Sequence, residues 1–239
     1  RHSGLRNGRI SILKCSGKRD FVPDGIYTGF LSDEKQADKI LKLMDTFAGE
    51  DTLILTDPVM GDDGEVYPIY TEALRNRFCE LVRRSYVITP NLTEALILLY
   101  GKEKMEAIWR EFQEISGRER LDQIEETGRR LAEEFSLSAV VITGVDYREG
   151  EELVKIGNLV LEKEKSSWVF AEKSGGSYSG TGDLFASVLS AGLVKGYSMK
   201  KCAHLAVDFI SASIRDAVEE GTDRNDGVCF EAHLGRLIQ

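Results

Sequence analysis

Apolar positions from Asp24 onward fall into two alternating rhythms. Short β-rich runs, Gly25-Ile26-Tyr27, Leu53-Ile54-Leu55, Tyr86-Val87-Ile88 and Ala139-Val140-Val141-Ile142, are separated by stretches whose apolar residues recur every three or four positions. The short runs predict strands and the intervening periodicity predicts helices, a pattern that favours a parallel sheet covered on both faces. Asp33 to Phe47 reads as a helix with Ser32 as its cap and Ala37, Ile40, Leu41 and Met44 as its apolar stripe. Thr71 to Arg84 predicts the next helix. Leu121 to Phe135 predicts another, with Leu121, Ile124 and Leu131 on one side and Gly128 as its weak point. The charged, amphipathic stretch from Lys102 to Arg120 reads as a solvated helical excursion.

Beyond Gly144 the pattern changes. Leu153 to Ile156 and Leu159 to Leu161 flank Gly157-Asn158, which predicts a hairpin turning there, with Trp168-Val169-Phe170 as a third strand beside it. Two helices close the fold, one from Thr181 to about Val194 and one from Met199 to about Val218. Arg1 to Arg19 is basic, lacks an initiating Met and carries little strand-like pattern, so it reads as a processed, truncated or partly omitted start. No repeat or linker divides the remainder, and one domain over residues 1–239 is the expectation.

Composition narrows the function. With 239 residues, 42% of them hydrophobic, the chain can bury a core without disulfide or metal support. The balance of 31 basic against 40 acidic residues, a net charge of -9, disfavours non-specific nucleic acid and anionic membrane surfaces. An anionic substrate would then need amides, a metal or a few cations. Cys15, Cys79, Cys202 and Cys229 show no paired spacing and no apolar run is long enough for a membrane span, so a reduced, cytoplasmic setting is expected.

The most informative segment is Gly180-Thr181-Gly182-Asp183, followed by Leu184, Phe185, Val188 and Leu189 at helical spacing. It sets backbone amides and one carboxylate at the start of a buried helix. Unpaired first-turn amides attract phosphate oxygens, and a carboxylate beside them can take a proton from an attacking hydroxyl. The bland alternative is an ordinary helix entry with Asp183 complementing the dipole. The preceding Gly175-Gly176-Ser177-Tyr178-Ser179 favours function, because so open a loop can wrap phosphate.

In open α/β sheets ligands bind beyond the carboxyl ends of the strands. Polar residues follow three of the predicted strands: Asp57-Pro58-Val59-Met60-Gly61-Asp62, Thr89-Pro90-Asn91 with Glu94, and Thr143-Gly144. Asp57, Asp62 and Glu94 could together hold a hydrated Mg²⁺, which prefers a few carboxylates plus waters and phosphates. Asp57-Pro58 could equally just end a strand, and Asn91 just cap a helix. Competing templates fail: there is no P-loop, no third glycine for a dinucleotide fingerprint, no esterase elbow and no metal spacing among His2, His204 and His233.

At these residues the chain resembles the pyridoxal/pyridoxamine (vitamin B6) kinases of the ribokinase-like superfamily, from about Asp24 to the C-terminus. The motifs are Thr28-Gly29-Phe30-Leu31, Asp57 to Asp62 with Tyr67, Thr89-Pro90-Asn91-Leu92-Thr93-Glu94, and Ser179-Gly180-Thr181-Gly182-Asp183-Leu184-Phe185. The resemblance implies a ribokinase-like α/β three-layer sandwich that moves the γ-phosphoryl of ATP to the 5′-hydroxymethyl of a pyridoxine-type ring in vitamin B6 salvage. By the same resemblance Asp183 is the general base, and the Gly180, Thr181 and Gly182 amides form the anion hole. Asp57, Asn91, Thr143 and Ser179 lie near ATP, with Tyr67 on a flap over the phosphates. Asp62, Thr89 and Glu94 organise Mg²⁺ directly or through water, and Phe30 faces the vitamin. The superfamily commonly forms dimers, which makes a homodimer the expectation.

Family members ordinarily begin with a strand and glycine-containing turn, then a helix and a second strand. Here His2-Ser3-Gly4 and Ile12-Leu13-Lys14 are the only counterparts, so the N-terminal strand and part of the acceptor site are expected to be missing. Two alternatives follow from the resemblance. Hydroxymethylpyrimidine kinases share the strand-end motifs but typically carry Cys at the position of Asp183, which favours the vitamin B6 substrate. A truncated paralogue that binds nucleotide without kinase activity is the other.

Overall fold

The computed structural model describes residues 21–149, 153–163 and 165–238. The expectations placed on residues 1–20, including the opening turn and the short helix at Ile12, fall outside them. A six-stranded sheet runs β1 (Gly25–Thr28), β2 (Leu53–Thr56), β5 (Val87–Ile88), β6 (Ala139–Glu149), β7 (Leu153–Glu162) and β8 (Lys165–Glu172) in spatial order. The first four strands pair in parallel, and β6, β7 and β8 pair antiparallel. A separate two-stranded hairpin, β3 (Gly61–Asp62) with β4 (Glu65–Val66), stands at the end of β2.

Helices α1 (Glu34–Phe47), α2 (Glu72–Val82), α3 (Leu92–Tyr100), α4 (Lys102–Glu114) and α5 (Gly117–Phe135) share one core with one face of the sheet. Helices α6 (Thr181–Val194) and α7 (Met199–Glu220) share a second core with the other face. Strand alternation produces this division: Val140 and Ile142 enter the first core, while Ala139 and Val141 enter the second. A strand buried on both sides must be apolar throughout, which is why that run has no polar position. The result is the three-layer α/β sandwich with a mostly parallel sheet that the sequence predicts. No described helix is long and apolar enough to cross a membrane.

The local differences have physical causes. Helix α1 is capped by Asp33 rather than Ser32: the Asp33 carboxylate accepts from the Gln36 amide at 2.8 Å, while the Ser32 amide donates to the Gln36 side chain. The stretch from Lys102 to Arg120 is less solvated than its charge suggests, because Met105 and Phe112 are buried. Its helix stops at Glu114 and a new one starts at Gly117. Gly128 marks a close helix–sheet contact, since a Cβ there would lie 3.1 Å from Leu159.

Gly157-Asn158 is not a turn. Both residues sit mid-strand in β7, paired with Phe170 and Val169 of β8. The Phe170 ring lies where a Gly157 side chain would be, with a Cβ meeting it at 2.7 Å. Asn158 is buried, accepting from the Gly144 amide and reaching the Val169 carbonyl. Tertiary packing thus uses a glycine and an asparagine whose short-range preference is for turns.

Candidate active site

The site is built at the carboxyl ends of the parallel strands. β2 ends into Asp57, β5 into Thr89-Pro90-Asn91, and β6 passes through Thr143 and Gly144, where its pairing with β7 shifts register. The Thr89 hydroxyl donates to Asp57 at 3.2 Å, and Asn91 bridges to Thr143 in a short parallel contact. Asn91 does cap α3: its side-chain oxygen accepts from the Glu94 amide, and Glu94 reciprocates by accepting from the Asn91 amide, both at 2.9 Å.

The same two residues hold the β3–β4 hairpin. The Asn91 amide group donates to the Gly61 carbonyl at 2.8 Å, and the second oxygen of Glu94 accepts from the Met60 amide at 3.2 Å. Thr93 adds a third tether by accepting from the Gly64 amide at 2.8 Å. Tyr67 follows the hairpin, 37% exposed, with its amide on the Met60 carbonyl.

Across from these strand ends, α6 begins at Gly180, which has a φ of 83° and offers no side-chain cap. A residue with a Cβ would be strained in that left-handed conformation. An N-terminus without a side-chain cap leaves first-turn amides for a ligand. Asp183 lies in this first turn, exposed to the cleft. A Cβ on Gly182 would come within 3.9 Å of an Asp57 oxygen, so the loop and the end of β2 face each other.

Phe30, Asp57, Asp62, Tyr67, Thr89, Asn91, Glu94, Thr143 and Ser179 to Asp183, the residues nominated from sequence, all line one open cleft of about 940 Å³. Its electrostatics are unfavourable without a cation. Burial raises the Asp57 carboxyl to about 7, the Thr89 hydrogen bond opposing and the Asp183 charge adding to it. Glu94, 4% exposed, is pushed well above the usual range by burial and by the Asp57 charge. Tyr67 is raised to about 12 by burial and by the carboxylates of Asp62, Glu94 and Asp57, so its phenol stays protonated.

Among the described residues no three acidic, His or Cys side chains converge closely enough to hold a metal ion by themselves. The donor set nevertheless fits Mg²⁺, which takes one or two carboxylates and fills its shell with water and phosphate oxygens. A cluster of acids forced towards neutrality is where a divalent cation would be most effective.

Sequence reasoning missed three contributors. Tyr27 on β1 donates to Asp183 at 2.9 Å across 156 positions of sequence, a contact no local motif encodes. Asn158 lines the cleft from β7. Arg224 brings a cation to the rim, its guanidinium where a Gly176 side chain would be and its carbonyl accepting from the Ser179 amide at 2.9 Å.

A mostly parallel sheet between two helical layers, with a glycine-rich helix entry facing acidic strand ends, defines a ribokinase-like protein. The chain belongs to the phosphomethylpyrimidine kinase family, whose model matches residues 16–227, and the predicted kinship with the ribokinase-like vitamin B6 kinases stands. It is similar to pyridoxine kinase of Bacillus subtilis (strain 168), 28% identical over 170 residues that cover 69% of this chain and 54% of that relative. The chain thus spans about half the length of the curated relative it matches. A solved structure with pyridoxal, assigned as a phosphomethylpyrimidine kinase from Bacteroides thetaiotaomicron VPI-5482, superposes with a TM-score of 0.82 at 28% identity, covering 98% of this chain and 78% of that one. Pyridoxal kinase from Lactobacillus plantarum has the same fold, with a TM-score of 0.77 at 21% identity over 95% of this chain and 75% of its own.

Proposed function

We propose that the protein transfers the γ-phosphoryl group of ATP to the 5′-hydroxymethyl group of pyridoxal, pyridoxamine or pyridoxine. Asp183 takes the hydroxyl proton as that oxygen forms its bond to phosphorus, and the bond to the β-phosphate oxygen breaks to release ADP. The amides of Gly180, Thr181 and Gly182 receive the charge on the transferring group, a preorganised donor set of the kind phosphoryl transfer depends on. Asp57, Asn91, Thr143 and Ser179 border the nucleotide, Tyr67 covers its phosphates, and Phe30, 54% exposed at the mouth of the cleft, faces the acceptor ring. Asp62, Thr89 and Glu94 would hold Mg²⁺ directly or through water, and the ion would supply charge neutralisation on the phosphates. A homodimer and a cytoplasmic setting complete the proposal.

The observation that carries this reading is Asp183 in the first turn of a helix with no side-chain cap, facing the strand-end acids across one cleft. A second reading, hydroxymethylpyrimidine kinase, draws on the family that the chain matches; Asp183 at the position where such kinases typically carry Cys favours the vitamin. Incubation with Mg·ATP and pyridoxal, pyridoxamine or the pyrimidine alcohol separates the two. Turnover of a B6 vitamer, falling by about 10² to 10⁴ in Asp183→Asn with ADP binding retained, is the expected result. Transfer to the pyrimidine alone would shift the assignment, and transfer to none of them would support a nucleotide-binding protein without kinase activity.

A further inference from the structure

The hydroxyl of Tyr27 donates to Oδ1 of Asp183 at 2.9 Å. Tyr27 belongs to β1, where its ring packs against the core beneath α6, and it is not among the residues lining the cleft. It therefore meets Asp183 from the sheet side. Burial, the nearby charges of Asp57 and Asp183 and the hydrogen bond itself all raise the Tyr27 pKa, so the phenol keeps its proton and acts as a donor.

Two further features fit this contact. A Cβ on Gly29 would lie 2.9 Å from the Tyr27 hydroxyl and 3.3 Å from Asp183 Oδ1, so the absence of a side chain there makes room for the pair. Asp57 stands close enough for its charge and that of Asp183 to repel, so the Asp183 carboxylate gains from a tether that holds it in place.

We propose that Tyr27 is a positioning residue for Asp183: by occupying Oδ1 it fixes the carboxylate and leaves Oδ2 free to take the proton of the acceptor alcohol. The inference rests on the kinase reading above and adds to it the group that sets the geometry of the base. The hydrogen bond is made to a charged acceptor, the stronger kind. A base held even slightly off line loses rate while ground-state binding is unaffected.

Tyr27→Phe keeps the ring and removes only the hydroxyl. With Mg·ATP and pyridoxal, kcat should fall on the order of tenfold, the fold-change that one charge-assisted hydrogen bond typically represents. KM for ATP and affinity for ADP should stay within about twofold. A thermal-melt cycle with Tyr27→Phe, Asp183→Ala and the double variant reads the contact without any substrate. The double variant should lose less Tm than the sum of the single losses, by on the order of 2 °C. Unchanged kcat, an equal loss of ADP affinity, or an additive melt would each overturn the inference. If the wild type phosphorylates none of the alcohols while the melt cycle is coupled, the kinase reading falls and the Tyr27–Asp183 pairing stands. If the wild type turns over and the cycle is additive, only the pairing falls.

Discussion

Replacing Asp57 by Asn should make the ligand-free protein more stable at neutral pH while impairing its chemistry. Asp57 is 6% exposed, and its carboxyl is raised from the ordinary 3.8 to about 7, chiefly by burial. A raised carboxyl means that the folded state binds a proton more tightly than the unfolded state. Its stabilising contribution is therefore complete below pH 4 or so and is lost as pH rises through about 7. A difference of about three units corresponds to roughly 4 kcal/mol at the alkaline plateau. For a chain of this size each kcal/mol moves Tm by about 2–4 °C. Asparagine keeps an acceptor for the Thr89 hydroxyl and carries no charge for the neighbouring Asp183 and Glu94 carboxylates to repel. Melting curves of wild type and Asp57→Asn between pH 4.5 and 8.5, in chelator and without nucleotide, should show a Tm advantage for the variant that grows from a few degrees to roughly ten. Mg·ATP should narrow the gap by neutralising the wild-type carboxylate. An advantage independent of pH, or a variant less stable at pH 8, would refute the electrostatic account.

Three other substitutions probe the scaffold. Gly61→Ala places a Cβ 2.3 Å from the Glu65 carbonyl oxygen, so the β3–β4 hairpin must open; steady-state kinetics should show kcat/KM for ATP reduced by on the order of 10², with a stability loss of about 1–3 kcal/mol. Gly157→Val must displace Phe170 from β7, and chemical denaturation should register a loss of about 1–3 kcal/mol. Asn91→Ala removes the α3 cap and the tether to Gly61 together, so it should cost about 1–2 kcal/mol and also raise KM for ATP, whereas a mere cap would leave KM alone.

The layered fold was legible because the apolar runs at Leu53, Val87 and Ala139 and the helical stripes between them each satisfy a single local rule. Half of the cleft was legible because its polar residues directly follow those runs, and the other half because a glycine-rich loop opens onto the apolar stripe of α6. What escaped was decided at long range. Gly157-Asn158 reads as a turn in isolation, and only the Phe170 ring seated on the glycine makes it a strand interior. Tyr27 looks like one more apolar strand residue until α6, far along the chain, brings Asp183 to its hydroxyl. Ser32 and Asp33 are both capping types one residue apart, and Gln36 decides between them by bonding back to Ser32.

Glu94 gives each of its oxygens to a different stretch of main chain, one at the root of the hairpin and one at the mouth of α3. The carboxylate thus acts as a rivet through two parts. Any event that alters its charge slackens both seams at once, so the electrical state of the cleft and the set of its lip behave as one variable.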